Sequence, residues 1–281
     1  MKDRNDMASS FDLVTLADLK TWLGVEGTQD DDLLSLLVSQ VSRAILTFLD
    51  RPSILPTTYT DIIDGGNDTS VMLRYWPVNA IASCVVDGVA MPAAPPLVSG
   101  APAQRGYILD SVDATPPGRM QRLSLRYGLF NQGLQNVIIS YFAGYQVANE
   151  AAAIPSAAPF TIAAQAPYGA FASDGGVAYA DGSFLTSVAS NPSAGQYAVS
   201  AGLYTFATGD AGAAVTLTYG YIPHDLALAA KEWAAERYVY HARIGQASKS
   251  LGGQETVSFI VKDIPEFVAC ILQPYRRVVM P

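Results

Sequence analysis

Two cysteines and two histidines in 281 residues leave little room for metal or thiol chemistry. Cys84 and Cys270 lie far apart in a chain without an evident export signal, so they read as free thiols rather than a disulfide. Neither pair, nor both together with His224 and His241, makes a convincing zinc set. Charge is sparse as well: 15% of residues are charged, the net balance is −8 and the pI is near 4.7. A surface that grips duplex DNA replaces counterions with Lys and Arg, and this balance speaks against one. The opening MKDRNDMASSFDL lacks the apolar core of a signal peptide. Residues 127–149 and 151–173 carry no charged side chain, but Asn, Gln and Gly break up the first and three prolines the second. Neither is a credible membrane-spanning helix, and the expectation is a soluble chain with no membrane contact. The glycine pairs at 65–66, 175–176 and 252–253 follow neither the Walker pattern nor GxGxxG ahead of a helix, so no nucleotide cofactor is expected.

What is present is concentrated at the two ends. Tyr221–Gly245 reads as a helix: Pro223 suits a first turn, Asp225 faces the positive end of the dipole, and Gly245 can take the left-handed cap. At a helical period Leu226, Ala229, Ala230, Trp233, Tyr240 and Ile244 share one face, with Arg237 and His241 in or beside it. Leu228 and Val239 lie nearly opposite, which implies a second neighbour for this helix. A Ser/Gly/Lys loop (248–253) precedes a strand in which Val257, Phe259 and Val261 alternate. Asp263 and Glu266 then have the spacing of a capping box for a last short helix that Pro274 stops.

At the other end, Thr15 and Asp18 predict the start of a short helix with Leu16, Leu19, Trp22 and Leu23 on its apolar side. Thr28 is the expected cap of a second helix, whose first turn carries Asp30, Asp31 and Asp32. Leu33, Leu34, Leu37, Val38, Val41, Ile45, Phe48 and Leu49 fill an arc of roughly 160° on it, leaving Leu36 and Leu46 outside. Arg51-Pro52 ends it.

Between the ends the period changes to two. TTYTDII, SVMLRYWPV and SCVVDGVAM read as successive strands with turns at Asp64–Asp68 and at Asp87-Gly88. RGYILD, MQRLSLRYG and NVIISYFAGY supply further strands. The last of these recurs in outline as AVTLTYGYIP, aligning Val137 with Val215 and Tyr141 with Tyr219. Between the two copies, Gln146–Ala213 reads as an inserted β module. The wider stretch 146–222 has no Lys or Arg and only Glu150, Asp174, Asp181 and Asp210 as acids. Its strand candidates are FTIAA, GVAYA, SFLTSVA, QYAVS and LYTFAT.

Both ends resemble one family, the head-to-tail connector (adaptor) proteins of tailed bacteriophages. The C-terminal residues that carry the likeness are the Pro-x-Asp-Leu start at Pro223, the Arg-x-Gly end at Arg243, the Glu-Thr-x-Ser-Phe strand at Glu255, and Tyr275-Arg276-Arg277. The N-terminal ones are VTLADLKTWLGV and TQDDDLLSLLVSQVSRAILTFLDR. In that family the strand before the proline-started helix leads straight into it. Here the first copy of the strand enters the extra module instead. The SNPSAGQYAVSAGLYTFATGDAGAAVTLTY run looks, more weakly, like a small β-sandwich or barrel module of phage structural proteins.

The combined expectation is an α+β fold. A helical bundle core and β layer come from residues 1–145 plus 214–281, and 146–213 form the inserted β-sandwich or barrel module. The resemblance implies a homo-oligomeric ring of twelve copies beneath the portal protein. It would extend the DNA channel without specific DNA binding and offer a platform for a tail-side neck, stopper or tail-terminator protein. It also implies a place in the virion neck, reached from the host cytoplasm during assembly. Portal contact is expected from Tyr275, Arg276, Arg277, Val278, Val279 and Met280, and subunit contact from Leu36, Leu46, Leu228, Arg237 and Val239. Catalytic chemistry is not expected: His224 and Asp225 are adjacent on one turn and point about 100° apart. DGGND lacks the acid spacing of an EF-hand and reads as a turn. The alternative from another class is a tail or capsid-decoration protein whose β module binds a glycan or partner surface. Tyr168, Phe171, Tyr179, Phe184, Tyr197, Tyr204 and Phe206 would supply its stacking platform, or else the module's own core.

Overall fold

The computed structural model describes residues 11–110, 120–241, 248–251, 255–258 and 264–277. It is α+β with several sheets, and it divides into two compact units. One is Met1–Pro52 with His224–Arg276, the other Ser53–Pro223 with Arg277–Pro281.

The first unit holds helices α1 (Leu16–Leu23), α2 (Asp31–Leu49), α3 (His224–His241) and α4 (Glu266–Leu272). Helix α1 starts where the spacing predicts: the Asp18 amide donates to Thr15 Oγ1 at 3.1 Å, and that hydroxyl donates to the Asp18 carboxylate at 2.7 Å. Gly24, at φ 65°, ends it. Only Leu19 of its expected apolar face is buried, whereas Trp22 lies half in solvent under the Lys231 ammonium, 5.6 Å from the ring centroid. Helix α2 begins at Asp31, with Asp30 rather than Thr28 in the cap position. The Lys20 ammonium, 2.6 Å from the Asp31 carboxylate and also bonded to the Gly27 carbonyl, fixes that start. Leu34, Val38, Val41, Ser42, Ile45, Leu46 and Leu49 are buried along α2. Leu46 therefore belongs to the chain's own core, because the face extends beyond the predicted arc. Helix α2 packs on α3, α1 touches both, and α4 packs mainly on α3. The buried side of α3 is Leu226, Ala229, Ala230, Trp233 and Ala234, and small alanines let the neighbouring helices approach. Pro223 is the last residue of the preceding strand rather than the first of the helix. Tyr238 donates to Asp30 at 2.7 Å, joining α3 to the start of α2. The predicted cap Asp263 and the helix end at Gly245 lie outside the described residues; α4 itself has Pro265 in the cap position. Residues 248–251, expected as loop, are a strand paired antiparallel with Glu255–Ser258.

The second unit opens with β1 (Thr57–Gly65), β2 (Ser70–Met72), β3 (Val78–Val86), β4 (Val89–Ala90), β5 (Gly106–Leu109), β6 (Arg122–Arg126) and β7 (Gly133–Ala143). They form two sheets, ordered β1-β7-β3-β4 and β2-β6-β5. One core, including Leu73, Val86, Leu123, Phe130, Val137, Ile139 and Tyr141, is shared by both. This corrects the reading of SVMLRYWPV as one strand. Leu73–Pro77 leave the ladder between β2 and β3, which lie in different sheets. It also makes Asp64–Asp68 a crossover between sheets rather than a hairpin turn, since β1 pairs with β7 and β2 with β6. Asp87-Gly88 is a tight hairpin turn as expected, with φ 53° and 76°.

The chain continues through β8 (Gln146–Ala153), β9 (Thr161–Ala163), β10 (Gly169–Tyr179), β11 (Thr186–Ser187), β12 (Gln196–Ser200), β13 (Leu203–Phe206) and β14 (Ala214–Pro223). These make the sheets β10-β14-β8 and β11-β12-β13-β9 about a second core: Ile154, Val177, Leu185, Tyr197, Tyr204, Phe206, Val215, Leu217 and Tyr219. Strand β14 lies between β8 and β10, within the sheet of the segment it follows. The sheet closes where Gln146 pairs with Gly220, and next to it the Tyr221 amide donates to the Tyr145 carbonyl at 3.1 Å. Strands β7 and β14, the repeated pair of the sequence, hold the same place in their sheets. Each is an interior strand, and each buries alternate residues that include a tyrosine whose hydroxyl donates to a carboxylate: Tyr141 to Asp61 at 2.9 Å, Tyr219 to Glu150 at 2.5 Å.

The final strands, β15 (Ser248–Leu251) and β16 (Glu255–Ser258), are the C-terminal hairpin already noted.

Candidate assembly surfaces

The predicted portal-contact residues begin in a 3-10 turn, Gln273–Tyr275, that follows α4. The Tyr275 hydroxyl donates to Asp225 at the start of α3, and the Arg276 guanidinium lies over the Phe48 ring at 5.4 Å. Both are thus seated on the chain's own helices. Arg277 is half-buried, and Val278, Val279 and Met280 lie outside the described residues.

Of the predicted subunit-contact residues, Leu36 and Val239 are exposed, at 53% and 50%. Leu228 and Arg237 are half-buried and Leu46 is in the core. Leu36 stands alone on a polar side of α2 that also carries Gln40, Arg43 and Thr47, all exposed. Trp22 and Phe267, exposed on the same unit, are apolar surface that periodicity assigned to the interior or passed over.

In the second unit the loops at one end of sheet β1-β7-β3-β4 interlock. The Gln135 amide donates to Asp64 at 2.6 Å and the Gln132 amide to Asn67 Oδ1 at 2.9 Å. Asn131 and Asn136 amides both donate to Asp87, at 2.6 and 2.8 Å, and Asn136 Oδ1 accepts from the Gly65 amide at 2.9 Å. Asn67, Asp87, Tyr127 and Gln135 all have left-handed backbones there. The two Asn side chains hold the Asp87 carboxyl below its usual pKa. Yet this end exposes Leu129, Leu134, Tyr127 and Val89, Leu134 by 86%.

The four acids of the Lys- and Arg-free stretch are all engaged. Glu150 accepts from Tyr219 and from the Gln165 amide, Asp174 from Tyr197 and Tyr204, Asp210 from Tyr179 and the Gly195 amide, and Asp181 from Ser183. Burial and the adjoining carboxylates push the hydroxyl pKa values of Tyr197, Tyr204 and Tyr219 well above the usual phenol range. Tyr197, Tyr204 and Phe206 are therefore core, while Phe184 is 81% exposed.

Chemistry-bearing clusters are otherwise sparse. Among the described residues no three His, Cys, Asp or Glu side chains come together as a metal site. Burial raises the Cys84 thiol to about 11, which keeps it protonated and unreactive at neutral pH. His224 and Asp225 do not pair: Asp225 accepts from the Leu226 amide at 3.0 Å and from Tyr275. An open groove of about 500 Å³ beside β3 and β8 has Asp110 as the one ionisable group in its lining. By length and composition α2 is apolar enough to cross a membrane, but its buried residues line one side of the helix, which packs against α3.

Comparisons with known proteins fit the helical ends. Residues 13–71 match the family model of phage gp6-like head-tail connector proteins, and residues 179–278 match that of head completion proteins. No curated protein matches the chain in sequence. A solved structure, the neck of an empty GTA particle, aligns over 98% of this chain and 94% of its own at 13% identity, with a TM-score of 0.40. By sequence, then, the chain is similar to the phage gp6-like head-tail connector proteins at its N-terminal end and to the head completion proteins at its C-terminal end.

Proposed function

We propose that the chain is a structural protein of the virion neck: a connector that forms a ring below the portal, continues the DNA channel and carries the docking platform for the tail. The observation that carries this reading is the meeting of the two family matches. One spans α1 and α2, the other spans α3 and α4, and these four helices pack into one unit from opposite ends of the chain. That helical unit is the hub of the ring, and Leu36 and Val239 are its lateral contacts. Two non-equivalent patches, repeated by rotation, close into a circle. Twelve copies, the portal above and a stopper or tail-terminator protein below complete the assembly. The net charge of −8 favours DNA sliding past over DNA being held. The chain reaches this place from the host cytoplasm as the particle assembles.

Portal contact falls to the segment after Arg277, because Tyr275 and Arg276 are already seated on their own subunit. Two truncations separate the roles. A chain ending at Arg277 keeps its fold and loses binding to portal-bearing heads, while a chain ending at Pro274 also loses stability. Undiminished head binding by the first would overturn the portal assignment. Native mass tests the ring: a multiple of the 29.8 kDa chain is expected, and a monomer at assembly concentrations would count against it.

A further inference from the structure

The interlocked end of sheet β1-β7-β3-β4 is built unlike a solvent loop. Three separate stretches, 64–68, 87–89 and 127–136, are joined to one another by side-chain hydrogen bonds to backbone and amide groups. Gly65 is packed so closely that an added Cβ would lie 1.8 Å from the Asn131 carbonyl oxygen. Four of the nine described non-glycine residues with positive φ lie here, Tyr127 and Gln135 among them. Left-handed backbone at bulky residues is strain that the surrounding bonds must hold. What this rigid frame presents is apolar: Leu134 at 86%, Tyr127 at 68%, Val89 at 56% and Leu129 at 42% exposure. Its own charges are acidic: the three stretches contain Asp64, Asp68 and Asp87 and no Lys or Arg, and the exposed Arg105, whose guanidinium lies against Gly128, is the cation at its side.

We propose that this tip is a preformed docking surface for the tail-side neighbour of the connector. Its partner is a protein surface with an apolar pocket for Leu129 and Leu134 and a rim of Lys or Arg facing the aspartates. The inference rests on the connector reading, which assigns the C-terminal segment to the portal and leaves the other partner without a surface. Order fixed in advance lowers the entropic cost of association, and exposed leucines on a fixed frame act as anchors. The acidic rim selects a basic partner and speeds the encounter at low salt. A second copy of this acidic chain is the poorer match, because its own tip brings the same sign of charge.

The test uses full-length chain, heads lacking it, and purified tails. Two variants leave the frame intact: L129S/L134S removes the anchors, and D68K reverses a carboxylate that holds none of the bonds above. Native mass and thermal midpoint serve as controls. Wild-type chain should bind heads and restore tail joining, less well as salt is raised. L129S/L134S should bind heads with unchanged native mass and lower joining at least tenfold, and D68K should lower it several-fold with a flatter salt response. Joining at the wild-type level by both variants overturns the proposal. So does a change in native mass, which would make the tip a contact between copies. Failure of the wild-type chain to bind heads is a separate outcome: it brings down the connector reading, and this proposal with it.

Discussion

Buried tyrosine hydroxyls set against carboxylates recur through the second unit, and their protonation ties the fold to pH. Asp61, 1% exposed, accepts from Tyr141 and from the Arg74 amide at 3.1 Å. Asp61→Ala strips a buried hydroxyl and an amide of their acceptor at once, and should destabilise the chain by about 1–3 kcal/mol in denaturant unfolding. An effect within error would show that water replaces the carboxylate. Tyr141, Tyr197, Tyr204 and Tyr219 all have hydroxyl pKa values raised by burial and neighbouring carboxylates. A group whose pKa is raised by folding contributes stability that is complete below its unfolded pKa. For tyrosine that contribution declines as pH climbs past about 10. The thermal midpoint should therefore hold steady through neutral pH and drop steeply above pH 10. A flat profile to pH 11 would contradict these assignments. Asp87 has the opposite sign: its depressed pKa means that the loop lock is complete above the ordinary carboxylate range and loosens as pH falls below it.

Helix positions were legible because each helical cue is local: a cap residue, a period and a stop. Thr15 with Asp18 marked α1, and the leucine-rich period of α2 marked its buried face. Partners were harder to read. Periodicity places Leu46 off the stripe and Trp22 on it, yet packing buries the first and exposes the second, because burial depends on which neighbour arrives. Strand pairing is non-local in the same way. Nothing within SVMLRYWPV states that its two ends join different sheets. Strand β8, QVANEAAA, went unseen because alanine, asparagine and glutamate are poor strand formers; it is held by pairing with β14. The proposed assembly surfaces show the same division. Off-stripe Leu36 and Val239 were visible as apolar residues on the wrong face, whereas the tip is assembled from three distant stretches. Leu34→Ala or Ile45→Ala should cost about 2–5 kcal/mol by opening a cavity. Leu36→Ser should stay within about 0.5 kcal/mol in the isolated chain and weaken the ring instead. Equal losses at Leu34 and Leu36 in monomer unfolding would refute that distinction.

At the scale of the whole molecule, the segment after β7 is proposed as an insertion, and the structure refines where it could be cut. Excising Gln146–Ala213 would leave β14 without either of its neighbours, β8 and β10. Tyr145 and Tyr221, by contrast, are already joined by a backbone hydrogen bond, with their rings 5.8 Å apart. Replacing Gln146–Gly220 by a short glycine splice should give a chain that folds and keeps its native mass. Aggregation of that splice, with the 146–213 deletion behaving better, would argue for the earlier boundary. The closed second unit also sets an order of events on the ribosome. Helix α2 is made early, but its principal partner α3 lies beyond Pro223, and a translating ribosome needs roughly 10–30 s to cover such a gap at about 5–20 residues per second. Through that interval the leucine face of α2 has no α3 to cover it, while the core around β1–β7 can already close; the second β core waits for β14, made just before α3. Nascent chains stalled before His224 should therefore show protease-resistant β structure and an α2 that chaperones still hold.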